Sequence, residues 1–184
     1  MDLSEITKKR IIYSIPGMEQ SIIRPDILYK TVDGQDLCLD VYYPQGFDFS
    51  AKLPAVVFIH GDGPPEIAET LRFAKNMGQY ISWGQLIAAS GLIAVTFNHR
   101  SSEERLSRMA SVAGDICDLI DYIRIHAKEL SIDRNSLCIW APPGGGPILA
   151  GSHGKSIGGY SLPGCLLWTD GLPAVCQQPP SRDG

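Results

Sequence analysis

Three short stretches hold residues whose types and spacing could do chemistry. "HGDGPP" (60–65) sets a histidine and an aspartate in a Gly-rich turn, and "LCIWAPPGGGP" (137–147) runs from an apolar stretch into three glycines and three prolines. "GSHGKS" (151–156) offers serines, a histidine and a lysine among glycines. A strand stopping at a tight Gly-rich turn is where several enzyme classes hold a nucleophile or a phosphate. The turn after Trp140 nevertheless holds no serine, cysteine, aspartate or lysine. A phosphate loop needs Gly-x4-Gly-Lys-Ser, but Leu149 occupies the first glycine's place; the same Leu149 breaks the GxGxxG fingerprint that Gly144 and Gly146 begin. Five cysteines (Cys38, Cys117, Cys138, Cys165, Cys176) show no CxxC pair or metal spacing, so no metal and no other cofactor is expected.

The elements that must position these turns follow from apolar periodicity. "DILYKTV" (26–32) and "DLCLDVYYP" (36–44) alternate around Asp33-Gly34, which predicts an antiparallel hairpin with one wet face. "KLPAVVFIHG" (52–61), "LIAVTFNHR" (92–100) and "SLCIWA" (136–141) are continuously apolar at their centres, as strands covered on both faces are. Between them lie a helical stretch from about Gln79 to Ser90, closed by Gly91, and a second from about Arg105 to Glu129. The second carries Ile116, Leu119, Ile120 and Ile123 on one stripe. The order β-β-β-α-β-α-β calls for an α/β fold: a mostly parallel sheet flanked by helices and opened by the hairpin.

Composition narrows the partners. The chain has 184 residues, 44% of them hydrophobic and 20% charged, which suits a single globular domain. A net charge of -4 with no basic stripe argues against nucleic acid as a partner. No apolar run reaches the length of a membrane span, and residues 1–20 do not have the layout of a secretory signal. Cys38, Cys117 and Cys138 sit among apolar residues and read as buried free thiols of a reducing cytoplasm.

Four stretches together resemble the α/β-hydrolase superfamily, in its esterase, lipase and dienelactone-hydrolase-like branch. They are "LDVYYP", "LPAVVFIHGDG", "WGQLIAASGLIAVTFNHR" and "DICDLIDYIRIHAKELSIDRNSLCIWA". The resemblance covers residues 26–146 and implies the front portion of that fold, with serine-type hydrolysis of a small carboxylic ester or lactone. Acyl transfer builds negative charge on a carbonyl oxygen, so it needs preorganised N–H donors. The resemblance assigns one donor to the loop His60-Gly61-Asp62-Gly63, with Gly61 and Asp62 the candidates and His60 and Gly63 shaping it. The second would be the N–H of Gly144. Read without the resemblance, "HGDGPP" fits a solvated turn equally well.

The family pattern small-x-Ser-x-Gly, laid on "APPGG", puts Ala141 first, Gly145 last and Pro143 at the nucleophile. Proline offers no nucleophilic atom, has no N–H and fixes φ near -65°. Ser152 and Ser156 lie past the elbow, Asp170 is the one acid between Trp140 and Arg182, and no histidine follows it. His60, His99 and His126 read as structural or solvent-facing. No triad is legible, and the chain as it stands is expected to be inactive; a non-catalytic domain binding a small ligand or a protein is the alternative.

Residues 141–184 hold 10 of the 19 glycines and 7 of the 13 prolines but four charged residues. We therefore read an N-terminal extension (1–25), a hydrolase-like core (26–146) and an atypical Gly/Pro-rich tail (147–184). A frameshift, an alternative splice or a mispredicted gene end would each produce such a break. The strand at 136–141 would then be an apolar edge open to self-association.

Overall fold

The computed structural model describes residues 3–60, 73–100, 105–141, 168–169 and 172–173. Strands β1 (Ile22–Val32) and β2 (Gln35–Tyr43) form the expected antiparallel hairpin. Its turn places Asp33 at φ 53° and Gly34 at φ 71°, the left-handed pair that a two-residue hairpin requires. Strands β3 (Leu53–Phe58), β4 (Ile93–Phe97) and β5 (Ile132–Trp140) complete a sheet in the order β1-β2-β4-β3-β5. The β2–β4 pair is antiparallel, while β4–β3 and β3–β5 are parallel. This is the α/β sheet opened by an antiparallel hairpin that the periodicity called for, with two parallel and two antiparallel strand pairs. Among the described residues no strand pairs with the outer edge of β5; β6 (Trp168–Thr169) and β7 (Leu172–Pro173) pair only with each other.

Among the described residues, one helix covers each face. Helix α3 (Arg105–Ile125) lies on one, and its stripe of Val112, Ile116, Leu119, Ile120 and Ile123 is fully buried with Leu39, Val41, Val57, Val95 and Ile139 of the sheet. Each such side chain contributes about 1.5–3 kcal/mol. Helix α2 (Gly78–Ala89) lies on the other, against Tyr42, Phe58 and Ala94. Its end is a Schellman turn: the Leu92 N–H donates to the Ile87 carbonyl at 3.3 Å, the Gly91 N–H to Ala88 at 3.0 Å, and Gly91 takes φ 86°. The backbone comes so close to Tyr42 at Gly84 that a Cβ there would stand 2.7 Å from the ring.

Three expectations need correction. The hairpin is not wet on one face throughout, because Leu39 to Tyr43 of β2 are buried on both. Helix α2 covers the second face, and Asp40 is satisfied there by Lys75, whose Nζ donates to its Oδ1 at 2.7 Å. The second helix stops at Ile125 rather than near residue 129; the chain turns back through His126 to Ser131, where Ser131 takes φ 53° and the Ile132 N–H donates to Ala127 at 2.9 Å. Cys38, Cys117 and Cys138, outside any disulfide, are half-buried, not buried. Residues 1–25 also include a short helix α1 (Leu3–Lys8) and one 3-10 turn (Met18–Gln20). This segment docks on α2: the Ile11 N–H donates to Ser82 Oγ at 3.1 Å, and Arg10 reaches Gln85.

Candidate functional site

The three parallel strands finish side by side. β3 and β5 are in register to the end, Phe58 opposite Trp140, and the Ile59 N–H donates to the Trp140 carbonyl at 2.9 Å. The segments that follow β3 and β5 therefore leave from adjacent points. His60 stands just past β3 and is 1% exposed; His99 stands just past β4 and is 5% exposed. Their rings stack face to face, 3.7 Å between centroids and 12° between planes. Tyr80 of α2 meets His60 edge-on at 6.2 Å, and Phe97 meets both rings at about 6 Å. Burial pushes the Tyr80 hydroxyl well above the usual tyrosine range, so it stays a neutral donor or acceptor.

A charge cluster around one buried carboxylate fixes the β4 end. Asp115 of α3 has a fully buried carboxylate that accepts from the Arg100 backbone N–H at 3.0 Å and from the Arg100 guanidinium at 3.0–3.2 Å. Lys30 of β1 donates to it at 2.7 Å and also reaches Asp118, while Arg100 Nη1 reaches Asp33 of the hairpin turn at 3.1 Å. Burial opposes the charge on Asp115, but the hydrogen bonds from Arg100 and Lys30 outweigh it and hold the carboxyl below the usual carboxylate range. The Arg100 carbonyl in turn sits 2.8 Å from His99 Nδ1.

Beside this, Phe58, Trp83 and Trp140 form an aromatic cluster, with Phe58 and Trp83 stacked at 5.7 Å and Trp140 tilted against both. His126 lies elsewhere, stacked on Tyr122 at 4.2 Å and 3.1 Å from Glu129. Among the described residues no group of three or more His, Cys, Asp or Glu side chains could hold a metal, and no helix is long and apolar enough to cross a membrane.

Of the residues singled out in the sequence, His60 is placed at the strand end. Gly61, Asp62 and Gly63 of its loop, Pro143 and Gly144 of the turn after β5, and Ser152, His153, Ser156 and Asp170 lie outside the described residues. The His60–His99 stack and the Asp115 cluster were not anticipated. The available signal was positional: both histidines directly follow apolar runs that read as parallel strands.

Comparison with known proteins sharpens the picture. The family model BD-FAE matches residues 39–159. The structure is similar to native esterase 2 of Thermogutta terrifontis, with a TM-score of 0.51 and 24% identity, covering 73% of this chain and 44% of that one. The same esterase phosphorylated by paraoxon aligns at TM-score 0.51 and 23% identity over 78% of this chain and 50% of the other. These likenesses show a partial α/β-hydrolase fold. Among curated proteins, the chain is 28% identical over 157 residues to the non-reducing polyketide synthase trt4 of Aspergillus terreus, and 28% identical over 144 residues to ausA of Emericella nidulans. It spans about 6% and 5% of those two much longer proteins.

Proposed function

The chain belongs to the BD-FAE family, an α/β-hydrolase-type esterase family, and from that premise we propose that it is a carboxylic-ester hydrolase domain that binds an ester or lactone without turning it over. The observation that carries the reading is the convergence of the β3 and β5 ends, Phe58 beside Trp140. It supports the reading because His60, the first residue of the loop assigned to oxyanion donation, follows a strand whose end pairs with the end of the strand that leads to the nucleophile position. That is the arrangement in which N–H donors from two loops can meet one carbonyl oxygen.

The loss of turnover follows from residue chemistry. Pro143 stands where the family pattern has serine. Without a nucleophilic atom at that position, N–H donors polarise a carbonyl but no acyl-enzyme forms. The test is hydrolysis of short-chain p-nitrophenyl esters by the unmodified chain, expected to equal the rate without protein. Turnover that titrates with the chain would overturn the proposal.

Two further points belong to the same reading. The absence of a disulfide at Cys38, Cys117 and Cys138 suits a reducing compartment, which supports the cytoplasm. The outer edge of β5 suits self-association, which size-exclusion chromatography with light scattering would show as a concentration-dependent mass. A constant monomer mass would remove that part.

A further inference from the structure

A helix carboxylate and a strand-end imidazole are joined by an unbroken line of contacts. Asp115 is fully buried on α3 and accepts every bond that Arg100 offers it: the backbone N–H at 3.0 Å, Nε at 3.1 Å and 3.2 Å, and Nη2 at 3.0 Å. Such a multidentate arginine–carboxylate pair, built on a buried carboxylate, fixes both side chain and backbone at residue 100. The adjacent His99 presents Nδ1 to the Arg100 carbonyl at 2.8 Å, so its ring orientation is set by that peptide. The ring lies flat on His60 at 3.7 Å.

We propose that Asp115 is a positioning residue for the strand-end site, acting through Arg100 and His99 to hold the His60 ring in place. Lys30 and Asp33 extend the same clamp to the hairpin, since Lys30 also bonds Asp115 at 2.7 Å and Asp33 accepts from Arg100 at 3.1 Å. The hairpin, β4, α3 and the end of β3 are thereby tied to one carboxylate. The clamp serves the proposed function because His60 begins the segment assigned to oxyanion donation, and the inference rests on that reading for its purpose. Its test does not require turnover.

The experiment follows imidazole C–H signals by NMR in the full chain with 13C-labelled histidine. The chain has four histidines, His60, His99, His126 and His153, assigned by single His→Gln substitutions. Face-to-face stacking shields each ring by the other, so loosening the stack moves both signals downfield. Asp115→Asn is expected to displace the His60 and His99 signals while His126, three turns further along and just past the end of α3, keeps its position. Arg100→Lys, which keeps the charge but loses the fork, is expected to displace the same two signals in the same direction by a smaller amount. If Asp115→Asn does not fold, Arg100→Lys decides alone. A fall in melting temperature with the His60 and His99 signals at their wild-type positions would overturn the proposal, as would an equal displacement of His126. The outcome of the ester assay leaves these signals where they are, so failure of the functional reading and failure of the clamp are separately visible.

Discussion

Replacing Lys75 by methionine isolates one buried charge and has a magnitude that can be worked out in advance. The Lys75 Nζ donates to Asp40 at 2.7 Å and to Asp26 at 2.6 Å. The two arms differ in burial: the Lys75 and Asp40 side chains are 4% and 8% exposed, whereas the Asp26 side chain is 74% exposed. The Asp26 arm contributes about 0–1 kcal/mol, as an exposed pair does. Removing one partner of a buried pair costs about 3–5 kcal/mol, because the other charge stays desolvated. Asp40 would still accept from the Asp26 backbone N–H at 2.8 Å, which puts Lys75→Met near ~3 kcal/mol on that scale. In a domain of this size that lowers the melting temperature by roughly 6–12 °C.

Urea denaturation reads the loss directly, as a lower midpoint at unchanged slope. The double variant Lys75→Met/Asp40→Asn should recover most of it, since no buried charge is then left alone. The pH dependence has a definite sign. Burial opposes the charge on Lys75, but its bonds to Asp26 and Asp40 prevail and raise its pKa above the ordinary 10.5. The wild-type advantage over Lys75→Met is therefore complete below about pH 10.5 and shrinks as pH rises through the higher folded value. A loss below about 1 kcal/mol, or strictly additive single and double variants, would refute this account of the pair.

Three other outcomes are expected. Gly114→Ala on α3 meets nothing within 4 Å and should gain up to about 1 kcal/mol from helix propensity, whereas Gly84→Ala drives a Cβ to 2.7 Å from the Tyr42 ring and should lose about 1–2 kcal/mol net; equal effects in urea denaturation would contradict the packing described. Asp115 has a folded pKa below its ordinary 3.8, so its contribution is complete above that value and lost as pH falls through the folded one. Acid unfolding of Asp115→Asn should therefore depend less steeply on pH in that range than the wild type. Burial raises the Tyr42 hydroxyl pKa to about 12, with Asp40 adding to it, so Tyr42→Phe should flatten the alkaline limb of stability between about pH 10 and 12; an unchanged limb contradicts the burial of that hydroxyl.

Much of the fold was legible because its signals are local. Asp33-Gly34 marks a hairpin turn by backbone conformation alone, and the spacing of Ile116, Leu119, Ile120 and Ile123 marks a buried helical face without any knowledge of its partner. The second buried face of β2 was not legible, because Asp40 reads as a solvent-facing polar residue until Lys75, 35 positions later, is brought to it. The same holds at the site. His60 and His99 lie on different strands, and only the β4–β3 pairing makes them neighbours. Asp115 looks like one of several acids on an amphipathic helix; its role depends on Arg100 and Lys30 reaching it from β4 and β1. Local patterns specify elements, whereas buried polar groups depend on tertiary pairing.

The central proposal, an esterase-family domain with converging strand ends and Pro143 at the position where the family pattern has serine, is tested most directly by ester hydrolysis with the purified chain. The account predicts a rate indistinguishable from buffer across short-chain esters and lactones. Hydrolysis proportional to chain concentration, abolished by a serine-directed phosphonate, would contradict it.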